Sequence, residues 1–327
     1  MTTSIGTTDL PAGLTHRRPT LADAEAILAL TIACDVAAGE ASDATLTEVS
    51  SELAGSGVDL ERGGRLVLDA AGTVVGWLWT ETTEPASEVF VDLYSVDPAI
   101  LTWLLGRARE YVELVAGEWG RPVTMAAGSF QHDEVYGAIL RSAGLEVVRS
   151  FWQMRVVLEE HHAMPPPLPP GVTIRLFDGD DNAELRLLKR LHDESFADHW
   201  HHTPMSFDDW YERLDASAGV DRTQWWVAHV NGAPAGLLLG AESQAELGEG
   251  SVDILGVLRE YRGRGVAKAL LAEAFAESAR RGRTRVGLGV DSESPTGATR
   301  LYESMGMFVE KVILAWQGEV PVPVSGA

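Results

Sequence analysis

Apolar positions along this chain follow two rhythms, and the changes between them mark the elements. Leu14 to Arg18 alternates as a strand, and Thr20 with Asp23 three residues on predicts a capped helix start. Arg65 to Leu68 and Val74 to Thr80 alternate around Asp69-Ala70-Ala71-Gly72, which predicts a hairpin. The second half repeats this order. Val172 to Leu176 reads as a strand, Ala183 to Phe196 as a helix, and Gln224 to Val230 with Ala235 to Leu239 as a hairpin. Its turn pair, Asn231-Gly232, favours a tight turn because both residues tolerate positive φ. Each half continues with a strand, a long helix, another strand and a final helix. The pattern predicts one α/β unit used twice, at a period of roughly 155 residues.

Between the repeats lies His161-His162-Ala163-Met164-Pro165-Pro166-Pro167-Leu168-Pro169-Pro170-Gly171. Such proline density opposes helix and sheet and predicts an extended spacer. The expected division is therefore a first domain over residues 1–160, a linker over 161–171 and a second domain over 172–327.

The most informative run is Tyr261-Arg262-Gly263-Arg264-Gly265-Val266-Ala267-Lys268. It follows a strand-like stretch, Ser251 to Val257. It opens a helix whose apolar positions are Val266, Ala267, Leu270, Leu271, Ala274 and Phe275. Glycines at a strand-to-helix junction let an anion approach unpaired N–H groups at the positive end of the helix dipole. The P-loop pattern is absent, and Lys268 stands where a dinucleotide-binding loop needs its third glycine. Downstream come a strand-like run from Arg285 to Val290, a turn around Ser294-Pro295, and Arg300-Leu301-Tyr302 ahead of Gly306-Met307.

These two motifs, in this order, resemble the coenzyme A-binding unit of the GNAT acyltransferase superfamily. Ser294 stands where that family usually has Asn, and Met307 where it usually has Phe. Two such units in one chain resemble the tandem type typified by mycothiol synthase. The fold so implied is α/β (α+β): two tandem GNAT-like units, each a mixed, mostly antiparallel twisted sheet flanked by helices. In the first half the corresponding loop reads Val96-Asp97-Pro98-Ala99-Ile100-Leu101-Thr102-Trp103. It lacks glycine and arginine, and Pro98 removes a donor. The first unit is therefore expected to be degenerate and the second catalytic.

The resemblance implies an N-acetyltransferase that uses acetyl-CoA and the amine of a small molecule. It places the cofactor on Leu255, Gly256, Val257, Arg262, Gly263, Arg264, Gly265, Val266, Ala267, Lys268 and Ser294. It gives Tyr302 the protonation of the leaving thiolate. The strand carboxylate Asp253 is the candidate base, and Glu249 lies just ahead of it. The aromatic and histidine-rich run Phe196 to Trp210, with His199 and Trp200, is expected to be either an acceptor wall, together with Glu249, or a packed interdomain or helix-edge segment with surface histidines. A zinc site on His192, His199 and His202 lacks supporting ligand spacing, so no metal is expected. Ser206 is a candidate helix cap. The competing reading is a non-catalytic acyl-coenzyme A sensor.

Charge narrows the partners. The chain carries 48 acids and 26 bases, a net charge of −22. Both parts are acidic: 24 acids against 10 bases through Glu160, and 24 against 16 beyond it. That opposes nucleic acid as a partner and favours a cationic substrate. No apolar run approaches the roughly 20 residues of a membrane span. A single cysteine, Cys34, fits a reducing, cytoplasmic compartment, in a monomer or homodimer.

Overall fold

The computed structural model describes residues 9–55, 57–83, 88–179, 182–200, 205–294 and 296–323. In chain order the elements are β1 (Thr15–Arg17), α1 (Ala24–Ala37), α2 (Leu46–Ala54), β2 (Arg65–Leu68), β3 (Val74–Thr83), β4 (Glu88–Tyr94), α3 (Pro98–Trp119), β5 (Val123–Phe130), α4 (Glu134–Ser142) and β6 (Glu146–Val157). They continue as β7 (Val172–Leu176), α5 (Asn182–Phe196), α6 (Phe207–Asp215), β8 (Val220–Val230), β9 (Ala233–Ala241), β10 (Glu249–Val257), α7 (Val266–Arg280), β11 (Arg285–Asp291), α8 (Ala298–Glu303) and β12 (Phe308–Val320).

Contacts divide the chain into two units, one taking residues through Phe151 and from Val312 on, the other Trp152 to Lys311. This differs from a division at 160 and 172, because each unit takes a strand segment from the other half of the sequence. In unit 1 the strand order is β1-β2-β3-β4-β5-β12, with the Ile313–Val320 part of β12 antiparallel to β5. In unit 2 the order is β6-β11-β10-β9-β8-β7, and the β6 residues it takes begin at Trp152. The stretch before β7 also packs in unit 2: His162 meets the Phe275 ring edge-on at 5.5 Å. In each unit one strand pair is parallel, β4–β5 and β10–β11, and the other registered pairs are antiparallel.

Each sheet buries both faces. Along β4 the residues alternate, so that Val89, Val91 and Leu93 enter the core with Leu104, Leu105, Ala108 and Val112 of α3. Tyr94 instead packs on the cluster formed by α1, α2 and Trp77. In unit 2, Val252 and Leu270, Leu271 and Phe275 of α7 share one core. Leu185, Leu188 and Leu191 of α5 with Trp210 of α6 form the other. A fully buried leucine or phenylalanine stabilises by about 1.5–3 kcal/mol, so these layers fix the strand positions on which the site depends. Thr45 caps α2 reciprocally with Glu48, and Ser206 caps α6 by accepting from Asp209 N–H at 3.1 Å.

Candidate active site

The site begins where two parallel strands part. β10 pairs with β11 only over Glu249–Ser251, opposite Arg285–Gly287, while its pairing with β9 runs on to Val257. From Val252 onward, the β11-facing edge of β10 carries no strand among the described residues. Its main-chain groups are open to a ligand that can pair as an added strand.

Asp253 sits in that stretch as the extra residue of a β-bulge, since Val252 pairs with Gly240 and Ile254 with Leu239. The bulge resets the alternation: Val252 packs with the α7 core, whereas Ile254 packs with α5 and α6. The Asp253 side chain is open to solvent but recessed among protein atoms. Loss of hydration raises its pKa above the ordinary carboxylate value, and a 2.7 Å hydrogen bond from the Ser251 hydroxyl opposes that rise.

The open edge leads to the start of α7. Gly265 takes the cap position at φ 79°, in the left-handed region, and offers no side chain to the helix. The first intrahelical bond runs from Ala269 N–H to Gly265 C=O at 3.0 Å, so the N–H groups of Val266, Ala267 and Lys268 precede the ladder. No acid lies in the first turn. At Gly263, φ is 75° and a Cβ would meet nothing within 4 Å, which leaves room above the loop. Arg264 and Lys268 are exposed, with the Arg264 guanidinium over the Tyr261 ring at 5.7 Å. An uncapped, dipole-positive helix start with two free-standing cations fits a pyrophosphate.

Arg262 does something else. Its guanidinium donates to the carbonyls of Val257 and Ser195, both at 3.1 Å. It clamps the loop to the end of β10 and to α5 instead of reaching outward. Asp198 and Arg259 form a second, exposed tether between the same regions.

Tyr302 comes from α8, beyond β11. Its ring is buried, and burial pushes its hydroxyl up to about 12, so it remains protonated at neutral pH. No described residue hydrogen-bonds that hydroxyl. Ser294 lies on the preceding turn, its hydroxyl 2.9 Å from that of Thr296.

Several expected residues are placed differently. Glu249 is buried at the closed end of the gap, bound to Arg155 of β6, which also pairs with Glu310. This is a structural ion pair, and we leave Glu249 out of the acceptor site. Trp225 and Trp226 enter different cores from β8, and Trp225 donates to Gly240 C=O at 3.2 Å. The His199 ring lies tilted against that of Phe196 at 4.7 Å, just past α5, and Trp200 beside it is half-buried. His201, His202, Thr203 and Pro204 lie outside the described residues, as does Pro295. Among the described residues no three His, Cys, Asp or Glu side chains converge to hold a metal. One residue the sequence did not flag is Ser195. Its buried hydroxyl has no partner among the described residues and would lie 3.0 Å from a Cβ at Gly256. A serine near a helix end carries no sequence signal of this kind.

The second unit matches the acetyltransferase (GNAT) family profile over residues 185–307. The chain is 32% identical over 250 residues to the mycothiol acetyltransferase of Salinispora arenicola, covering 72% of this chain and 75% of that protein. It is 34% identical over 251 residues to that of Salinispora tropica, with the same two coverages, 72% and 75%. The chain belongs to the GNAT acetyltransferase family. Among solved structures, a GCN5-related N-acetyltransferase from Sphaerobacter thermophilus aligns at TM-score 0.79 and 28% identity, over 97% of this chain and 98% of that one. A tandem GNAT protein of the clavulanic acid biosynthesis pathway shares the fold at TM-score 0.72 and 16% identity, over 95% and 100% of the two chains. This GNAT protein is therefore an acyltransferase of the tandem type, a family that acts on small molecules with acyl-coenzyme A. No described helix is long and apolar enough to cross a membrane.

The first unit of this GNAT chain closes its own helix start. Asp97 caps α3 by accepting from Ala99 N–H at 2.8 Å, and Pro98 occupies the first turn. A carboxylate already holds the place an anion would take.

Proposed function

We propose that the protein transfers an acetyl group from acetyl-CoA to the primary amine of a small molecule, by direct attack in a ternary complex on unit 2. The observation that carries this reading is the open edge of β10 running into the uncapped start of α7. Main-chain groups of Leu255, Gly256 and Val257 pair with the pantetheine arm. Gly263, Arg264, Gly265, Val266, Ala267 and Lys268 take the pyrophosphate, and Arg262 holds the loop in shape. Ser294 borders the site from the α8 side.

In the reaction, the amine nitrogen forms a bond to the thioester carbonyl carbon and the carbon–sulfur bond breaks. Asp253, whose raised pKa makes it a stronger base than an ordinary carboxylate, accepts the proton the amine gives up. Tyr302, held protonated, supplies a proton to the departing thiolate. A β10 N–H near the bulge polarises the carbonyl oxygen. His199 and Trp200, past the end of α5, border the acceptor. The acidic surface draws a cationic amine toward the site. The likeness to mycothiol acetyltransferases supports a cysteinyl amine as one form of acceptor, beside amino acids, polyamines and aminoglycosides. Unit 1, with its capped helix, takes no part in donor binding.

The test is thiol release from acetyl-CoA across a panel of these amines. Turnover with one class supports the reading and identifies the acceptor. Donor binding with no amine acetylated would favour a sensor of acyl-coenzyme A. Absence of donor binding would overturn the assignment of the α7 loop.

A further inference from the structure

Unit 1 keeps the strand geometry of the catalytic unit while losing its phosphate loop. β4 pairs with β5 in parallel only over Glu88–Phe90, opposite Thr124–Ala126, as β10 pairs with β11 over Glu249–Ser251. Counted from the first paired residue, Asp92 occupies the register position of Asp253. The splayed edge of β4 therefore also carries a carboxylate, here with the Tyr94 hydroxyl donating to it at 2.7 Å.

Around Asp92 the recess is acidic and aromatic. Glu52 of α2 lies close enough that the two carboxyls repel one another, with Glu48 and Glu81 adding to the effect. Asp35 of α1 faces Asp92 as well. The Tyr94 ring stacks on Trp77 at 5.2 Å, and Trp79 meets Phe90 edge-on at 5.7 Å. Asp92, Tyr94 and Glu52 each keep partial contact with solvent, so the recess is not sealed. No arginine, lysine or histidine among the described residues pairs with Asp92 or Glu52. Burial, with repulsion from Asp35, pushes Asp92 up to about 7, and burial, with repulsion from Asp92, Glu48 and Glu81, pushes Glu52 up to about 8.

A second observation comes from the opposite side. Tyr136 of α4 is 8% exposed, and its hydroxyl has no hydrogen-bond partner among the described residues. The hydroxyl approaches the Leu93 amide and the Asp92 carboxylate, so it is aimed at the same strand edge. Buried hydroxyls are ordinarily satisfied, and one left open beside carboxyls that have no cationic partner among the described residues marks a place where a ligand completes the set.

We propose that the recess of unit 1 bounded by Asp92, Glu52, Tyr94 and Tyr136 binds a primary organic ammonium ion. The carboxylates supply the missing counter-charge, oxygen acceptors match the three N–H donors, and the aromatic rings favour a cation over a neutral alcohol. The donor set does not converge as a metal site would. With Asp97 capping α3 and Pro98 in its first turn, the start of α3 does not offer the anion site that α7 has, so the bound amine is held without being acylated. The proposal stands apart from the transfer reading of unit 2.

Calorimetric titration of the full chain with n-butylamine at pH 8 tests it, with n-butanol as the uncharged probe. The expected result is amine binding with proton release, at least about tenfold tighter than for the alcohol. Asp92→Asn and Glu52→Gln should each weaken it by about tenfold or more, whereas Asp253→Asn should leave that binding event in place. Circular dichroism verifies that the variants fold, and Glu52→Gln serves if Asp92→Asn does not. Equal binding of the alcohol, binding lost only in Asp253→Asn, or no amine binding at millimolar concentration would each overturn the proposal.

Discussion

At the scale of single residues, the two groups proposed to handle protons in unit 2, Asp253 and Tyr302, both have raised pKa values. Asp253 must lose its proton before it can take one from the amine. Because recession into the protein raises its pKa, the acid limb of kcat/KM should lie above the ordinary carboxylate range. Asp253→Asn should remove that limb and lower the rate by about 10²–10⁴-fold, as read from thiol release against pH. Tyr302, pushed up to about 12, stays protonated across the working range, and Tyr302→Phe should lower kcat by a similar factor without moving the limb. Loss under tenfold for both substitutions would count against their roles.

The acids of unit 1 bear on stability. In an unfolded chain, aspartate and glutamate titrate near about 4. Folded, Asp92 lies at about 7 and Glu52 at about 8. Between these values the folded protein holds more protons than the unfolded chain, so raising the pH through the window destabilises it. Urea midpoints should fall from pH 5 to pH 8, and Asp92→Asn with Glu52→Gln should flatten the decline.

At the scale of elements, the start of α7 depends on a backbone conformation that a side chain opposes. Gly265 is left-handed, and a Cβ there would sit 3.0 Å from Pro169. Gly265→Ala should therefore lose about 1–2 kcal/mol. If the loop shifts, KM for acetyl-CoA should rise about tenfold, which corresponds to about 1.4 kcal/mol. Glu249 at the opposite end of β10 calls for a different readout. Removing it leaves Arg155 partly uncompensated, so Glu249→Ala should lower stability by on the order of 3–5 kcal/mol. The amine KM of the folded fraction should not change; a large rise would restore Glu249 to the acceptor site.

These elements differ in how far the sequence disclosed them. The hairpins, the cap at Ser206 and the glycine loop were legible because each depends on a few neighbouring residues with known backbone preferences. The bulge at Asp253 was not, since an extra residue in a strand appears only in the register with β9. Glu249 looked like a candidate ligand because its partner Arg155 is far away in sequence. Arg262 looked like a phosphate contact because charge is visible in a sequence and the carbonyls it clamps are not.

At the scale of the whole molecule, the repeat in the sequence identified two units but not their composition. The proline-rich stretch is a conspicuous boundary, yet Trp152 to Val157 before it belong to unit 2 and Val312 onward to unit 1. A fragment beginning at Val172 therefore lacks a strand of the unit it was meant to isolate. It should melt lower, by thermal circular dichroism, than one beginning at Trp152.

The last strand has a further consequence for the order in which the protein is made. Residues 313–320 pair with β5, whose own residues end at Phe130. Unit 1 begins to be translated before unit 2 but is completed after it, and until residues 313–320 leave the ribosome β5 lacks that neighbour. During this interval an unpaired strand edge is available to other nascent chains. Chains halted after Lys311 should accumulate as aggregates, whereas full-length chains released from the ribosome can close that edge with their own last strand.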